Sequence, residues 1–212
     1  MRVLVGCEHT GAVRRAFRAR GHDAWSCDLL PAADGDSHHL QCNVLDVLAR
    51  DWDLAIFHPD CTFLTCSAEW AYGDGPYHQK VKPGTLTGSV RRAARGQAIV
   101  FVRRLLDAPI ARIAIENPVG ALSRAIRKPD QIIQPWMFGA DASKATCLWL
   151  KGLSPLEPTQ IIQPRNVWGR PRWANQTDSG QNRLSPSQDR WALRATTYPG
   201  IAAAFADQWG EP

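Results

Sequence analysis

The chain has no C-x-x-C pair, no G-x-G-x-x-G turn and no apolar run near the roughly 20 residues that cross a bilayer. The first absence argues against a zinc site of familiar spacing, and no metal is expected. The second argues against a standard dinucleotide fingerprint, and the third against a membrane span. The opening Met1-Arg2-Val3-Leu4-Val5-Gly6 lacks the long apolar stretch and small-residue cleavage site of a signal peptide and reads as a strand. Cytoplasmic residence is therefore expected, with the six cysteines (Cys7, Cys27, Cys42, Cys61, Cys66 and Cys147) reduced. Internal repeats and low-complexity tracts are missing as well.

What is present is ordinary in amount and uneven in arrangement. The 212 residues, 44% hydrophobic and 21% charged, suit one domain or one domain with a small appendage. The formal charge is +5. From Pro76 to Arg104 the cations Lys80, Lys82, Arg91, Arg92, Arg95, Arg103 and Arg104 occur with no acidic residue among them. A second segment carries Arg165, Arg170, Arg172, Arg183, Arg190 and Arg194, interleaved with Trp168, Trp173 and Trp191. Either segment alone reads equally well as a solvated basic face. Together they favour a polyanionic partner, with phosphate contacts from Arg91, Arg92, Arg95, Arg165, Arg170 and Arg172 and base stacking by the aromatics.

Periodicity gives the architecture. Val3 to Val5 predicts a strand, and Val13, Ala16 and Phe17 fall on one face of a helix over Ala12 to Arg20, closed by Gly21. Ala24 to Cys27 is a second strand closed by Asp28, and Leu40 to Val44 a third, followed by a brief helix to Arg50. Strands over Asp53 to Phe57 and Arg112 to Ile115 flank a helix from Gly88 to Asp107. Another strand is expected over Lys144 to Leu150, an irregular Pro-, Gln- and Arg-rich stretch over Pro155 to Pro186, and a last helix over Ile201 to Trp209. Such alternation predicts an α/β, Rossmann-like fold: a mostly parallel sheet with helices on both faces. The expected division is 1–150 as the catalytic domain, 151–196 as a basic and aromatic substrate-contact appendage, and 197–212 as a helix returning to the catalytic domain.

Two strand ends carry chemistry. Asp53-Leu54-Ala55-Ile56-Phe57-His58-Pro59-Asp60-Cys61 is a strand running into a proline-stiffened turn that delivers a thiol. Ile113-Ala114-Ile115-Glu116-Asn117-Pro118 ends a strand on a carboxylate. Ligands gather at the carboxyl ends of strands in open α/β sheets. A thiol and a carboxyl at two such ends are the parts needed to add a nucleophile to a pyrimidine while protonating it. Most of the other cysteines read as small buried apolar residues. Ser67 to Thr87, long and aperiodic after Cys61, is placed to act as a lid. At the amino-terminal end, a strand, a turn holding Glu8, a helix and a strand ending in Asp28 form the layout of nucleoside-cofactor pockets. There the acid takes a ribose diol, or else Asp28 caps its own turn. Asn43 suits an adenine edge or its own turn.

These residues resemble the catalytic half of cytosine-5 DNA methyltransferases, in particular the small phage and prophage proteins of that type. The resemblance rests on Val3 to Asp28, on His58-Pro59-Asp60-Cys61 and on Glu116-Asn117-Pro118. It also draws on Gln131 to Trp136, Lys144 to Leu150 and Thr197 to Ala202. It implies S-adenosylmethionine as cofactor, held by Val5, Gly6, Cys7, Glu8, Gly11, Asp28, Leu29, Asn43, Val44, His58 and Pro59, with the Tyr198 to Trp209 helix completing the pocket. It implies DNA as partner and a bacterial or phage-infected host cell as setting. Cys61 would add to carbon 6 of cytosine, Glu116, protonated or sharing a proton with the ring, would neutralise N3, and Lys144 would assist. The target base must be flipped or unpaired.

The chain departs from the family where Asp60 precedes the cysteine in place of proline. A neighbouring carboxylate opposes thiolate formation unless it points away or is offset by His58 or another basic group. The family's Gln-x-Arg-x-Arg strand has only Lys144 and Thr146 as counterparts, and the recognition segment is short. Alternative expectations are methylation of a free pyrimidine nucleotide, an exocyclic-amino methyltransferase suggested by Pro59-Asp60, and a methyltransferase-like nucleic-acid-binding protein without catalysis.

Overall fold

Short, almost uninterrupted apolar runs are what strands need when a sheet is covered on both faces. A computed structural model of the chain describes residues 1–184 and 196–211, so Arg190, Trp191 and Arg194 lie outside the described residues. The strands are β1 (Arg2–Gly6), β2 (Asp23–Asp28), β3 (His39–Gln41), β4 (Leu54–Phe57), β5 (Arg112–Pro118), β6 (Gln131–Ile133) and β7 (Thr146–Lys151). They form a seven-stranded sheet in the order β3-β2-β1-β4-β5-β7-β6. The first five named pair in parallel, and β7 runs antiparallel to both β5 and β6. The fold is α/β and Rossmann-like, as the strand–helix alternation requires.

Period-two alternation sends successive side chains to opposite layers. Val3, Val5, Leu54, Ile56 and Ala114 meet α1 (Ala12–Arg18) and the C-terminal helix, through Val13, Phe17, Ile201, Phe205 and Trp209. Leu4, Ala55, Phe57, Ile113 and Ile115 meet Val102 and Leu105 of α2 (Gly88–Leu106), with Trp52, Leu64 and Leu122. The short α3 (Leu122–Ala125) supplies the last of these, and the C-terminal helix is α4 (Pro199–Trp209). Burying such side chains is worth roughly 1.5–3 kcal/mol each, which makes this two-sided layer the main stabilising feature. The returning helix α4 lies against α1, where Arg20 pairs with Asp207.

Several boundaries differ from expectation, each for a physical reason. β3 ends at Gln41, because the Asn43 side chain accepts from Leu45 N (3.0 Å) and starts a 3-10 turn over Val44–Asp46. β5 continues past Ile115 to Pro118, since the antiparallel partner β7 supplies a ladder there that β4 does not. β7 begins at Thr146, leaving Lys144 ahead of it. The irregular region also contains a hairpin, β8 (Arg165–Val167) and β9 (Arg170–Arg172). Its turn residues Trp168 and Gly169 both have positive φ, 51° and 76°, the geometry of a tight two-residue hairpin turn.

Candidate active site

The chain leaves β1 for β2 on one side and later enters β4 on the other, so a topological switch point lies between β1 and β4. His58 N donates to Gly6 O (2.9 Å) at that point and holds the two strand ends together. A Cβ on Gly6 would meet the Phe57 ring at 2.4 Å and Val44 Cγ2 at 2.7 Å, so the strand's close approach requires glycine. Phe57 pairs with Ile115, and the next residues of each strand therefore fall side by side. His58 Nδ1 lies 2.9 Å from Glu116 Oε2, with side-chain exposures of 9% and 16%. Asn117 Nδ2 donates to Pro59 O (2.8 Å), a buried bond that pins the turn before Cys61 to β5.

The carboxylate of Glu116 is backed by β7 and the segment before it. Burial acts to raise its pKa, but the His58 hydrogen bond and charge, the Lys144 charge and a hydrogen bond with Thr146 hold it below the usual range. For His58 burial acts to lower the value, and the Glu116 hydrogen bond and charge, with the Glu8 charge, outweigh it and raise the pKa. Both directions describe an ion pair. They favour an ionised Glu116 beside an imidazole that holds its proton more tightly than usual.

The loop after β4 accounts for Asp60. Its Oδ1 accepts from Thr62 N (3.0 Å) and Thr62 Oγ1 (2.7 Å), an Asx turn that engages the carboxylate with the residues after Cys61. Leu64 N and Thr65 N donate to Cys61 O (2.9 and 3.0 Å), wrapping the chain around a half-buried Cys61. Leu64 O accepts from Ala121 N at 2.7 Å, and a Cβ on Gly120 would sit 1.9 Å from that same oxygen. The loop is thus fastened to β5 at Pro59 and to the chain beyond β5 at Leu64. Cys66 is exposed, with Sγ 3.3 Å from Val119 O.

Three other thiols are held neutral. Burial, with the charges of Asp28 and Asp60, pushes Cys7 up to about 12. Cys27 is raised by burial and by Cys42, whose sulfur lies 3.8 Å away. Cys147 is raised by burial and the Glu116 charge. Neutral thiols are poor nucleophiles. The effect of Asp28 and Asp60 on Cys7 also places the ends of β1, β2 and β4 within electrostatic reach of one another.

At the expected cofactor end, both Glu8 oxygens are engaged by α1, accepting from Val13 N (2.7 Å) and Arg14 N (3.3 Å). Glu8 is therefore the cap of α1, whose first residue follows Gly11 at φ 68°. Asp28 Oδ1 accepts from Leu30 N (2.9 Å), which caps the turn and leaves one carboxylate oxygen outside that bond. Beside it Leu29 is 72% exposed, an apolar surface next to an acid. The Asn43 oxygen is engaged by its own turn. Sequence reasoning missed Arg14, fully buried, which donates to Ser26 Oγ (2.8 Å) and pairs with Asp34, tying down the loop after β2.

The basic segments are largely engaged within the protein. Arg91 and Arg95 lie over the Tyr72 ring at 4.7 and 3.5 Å from its centroid. Arg95 also donates to Phe63 O (2.8 Å) and pairs with Glu69 at 2.6 Å, and Arg92 donates to Tyr72 O (2.6 Å) and pairs with Asp74. These arginines clamp the segment expected to be a lid onto α2. Arg165 pairs with Asp178 (2.6 Å) and Arg172 donates to Asp178 O (3.0 Å), bracing the hairpin against its neighbouring loop. The Arg170 side chain makes no hydrogen bond or ion pair among the described residues, and Trp168 beside it is 83% exposed. Asn175 bonds both backbone groups of Ser143, next to Lys144, so the appendage also touches the site's outer wall.

No known family model matches the sequence, and no curated protein matches it. Among solved structures, it is similar to an E. coli prophage-encoded protein described as a candidate DNA modification methyltransferase. That match has 13% identity and a TM-score of 0.44, covering 80% of this chain and 53% of the other. The Dnmt2 methyltransferase of S. pombe matches at 18% identity and TM-score 0.46, covering 73% and 51%. A triple mutant of DNMT2 from Spodoptera frugiperda matches at 15% and 0.43, covering 81% and 57%. The chain spans about half the length of each of these proteins.

Proposed function

We propose that the chain is an S-adenosylmethionine-dependent methyltransferase acting on carbon 5 of cytosine in DNA, with Cys61 as covalent nucleophile and Glu116 at N3. One observation carries this reading. The parallel register of β4 and β5 sets the Cys61 turn against Glu116-Asn117, fastened by the Asn117 to Pro59 bond at 2.8 Å. A thiolate adding to carbon 6 of a pyrimidine needs a proton donor at the adjacent ring nitrogen, and two neighbouring strand ends supply that pairing.

S-adenosylmethionine, when bound, supplies an electrophilic methyl group, and Asp28 and Leu29 are the residues here that suit its adenosine. Cys61 contributes the thiolate, and the Asx turn at Asp60 directs the intervening carboxylate to Thr62. Lys144 contributes positive charge beside Glu116. DNA containing 5-fluorocytosine tests the chemistry, because fluorine cannot leave as the carbon-5 proton does. A complex that survives denaturation is expected from the wild type and from Cys66→Ser, and none from Cys61→Ser. Methyl transfer that persists in Cys61→Ser would move the enzyme to exocyclic-amino chemistry.

A second reading, a free cytosine nucleotide as substrate, draws on the internal engagement of Arg91, Arg92, Arg95, Arg165 and Arg172. Fewer cations remain for a phosphate track than the sequence promises. Trapping on the fluorinated nucleotide and not on DNA would select it.

A further inference from the structure

The proposed chemistry requires Glu116 to give a proton to N3, yet His58, Lys144 and Thr146 favour its ionised form. An ionised acid has no proton to give. The residue that resolves the conflict is already in contact with it. His58 is the first residue beyond β4, its backbone tied to Gly6 O, its Nδ1 2.9 Å from Glu116 Oε2. Its Nε2 is buried with no hydrogen-bond partner among the described residues. A buried imidazole nitrogen without a partner is costly and calls for a reason. The charges that bear on the pair come from each element around it: Glu8 from the turn after β1, Glu116 from β5 and Lys144 from the segment before β7. Thr146 of β7 adds a hydrogen bond to Glu116, and Cys147 of β7 is close enough to feel the Glu116 charge.

We propose that His58 is the proton source behind Glu116, a positioning residue that stores the proton which Glu116 delivers to the substrate. The inference rests on the cytosine-5 reading above. As the Cys61 thiolate forms its bond to carbon 6, the carbon 5–carbon 6 π pair shifts toward carbon 4. The carbon 4–N3 π pair moves onto N3, which takes up the proton that Glu116 relays from His58 Nδ1. Glu116 takes the Nδ1 proton of His58, so the carboxylate ends ionised and the imidazole neutral. One negative charge is present before and after the step: thiolate, carboxylate and imidazolium become thioether, carboxylate and neutral imidazole. The proton returns by the same route as the adduct collapses. The arrangement stores a proton without stranding a neutral acid in a site where Lys144 and Thr146 favour the anion.

Two measurements test this. Nitrogen-15 NMR of the wild-type protein at pH 7.5 should show the His58 ring doubly protonated, and a neutral ring would overturn the proposal with no variant needed. Second, the rate of 5-fluorocytosine adduct formation should be bell-shaped in pH for the wild type, its alkaline limb set by His58. His58→Asn keeps an amide donor near the Nδ1 position but cannot titrate. It should fold and, at saturating S-adenosylmethionine, form adduct at least tenfold more slowly at neutral pH and lose that alkaline limb. An unchanged profile in His58→Asn overturns the relay alone. Absence of any adduct from the wild type on DNA or nucleotide overturns the cytosine-5 reading, and the relay with it.

Discussion

At the scale of single residues, the site is governed by what each polar side chain faces rather than by its neighbours in sequence. Asp60 adjoins Cys61 in the chain, but its carboxylate serves Thr62, while Glu116 and His58, far apart in the chain, form the pair at 2.9 Å. That pair has a pH signature. His58, whose folded pKa is raised, contributes stability that is complete below about 6.5 and is lost as pH rises through its folded value. Glu116, whose folded pKa is lowered, contributes stability that is complete above about 4.3 and is lost as pH falls through its folded value. The coupling energy of His58 and Glu116, from a double-mutant cycle with His58→Ala and Glu116→Ala, should therefore peak between these limits and decline on both sides. A coupling that stays flat from pH 4 to 9 would show that the two groups do not form an ion pair.

At the scale of elements, strands with apolar runs and helices with regular faces were legible, because burial on both sides of a sheet leaves an unbroken composition signal. β1, β2, β4 and α2 needed little correction. The hairpin of β8 and β9 was not legible: three-residue strands carry too little period to read, and the turn Trp168-Gly169 lacks the Asn or Asp that usually announces such a turn. Nor did the sequence show that Arg91, Arg92, Arg95, Arg165 and Arg172 are engaged within the protein, since a cation count is blind to the aromatic ring, carboxylate or carbonyl opposite. If the chain binds a nucleic acid as proposed, Arg170 and the exposed Trp168 form a cation and ring available for that contact. Trp168→Ala should weaken binding to single-stranded DNA by about 1–3 kcal/mol, the worth of one stacked base, without shifting the melting temperature. Arg95→Ala, by contrast, should lower the melting temperature by releasing Tyr72 and Glu69. Equal DNA affinity in wild type and Trp168→Ala would remove the hairpin from the interface.

At the scale of the whole molecule, the candidate site was legible as a set of residues and not as a set of contacts. Cys61 and Glu116 declared themselves at strand ends, whereas the roles of Glu8 as helix cap, Asn117 as fastener and Arg14 as buried anchor depend on register and topology. Register has a further consequence. The turn after β1, the loop after β4, the middle of β5 and the start of β7 meet only when β4 has paired with β1 and β5, and β7 has folded back antiparallel. These are contacts between residues far apart in the chain, and closing such loops is the slow part of folding. A refolding chain should regain helical circular dichroism before it regains the ability to trap 5-fluorocytosine, and trapping should appear together with the slowest change in tryptophan fluorescence. The proposed nucleophile, Cys61, is thus kept from Glu116 until the last strands close, and a half-made molecule carries its cysteine without the carboxylate that the proposed reaction needs.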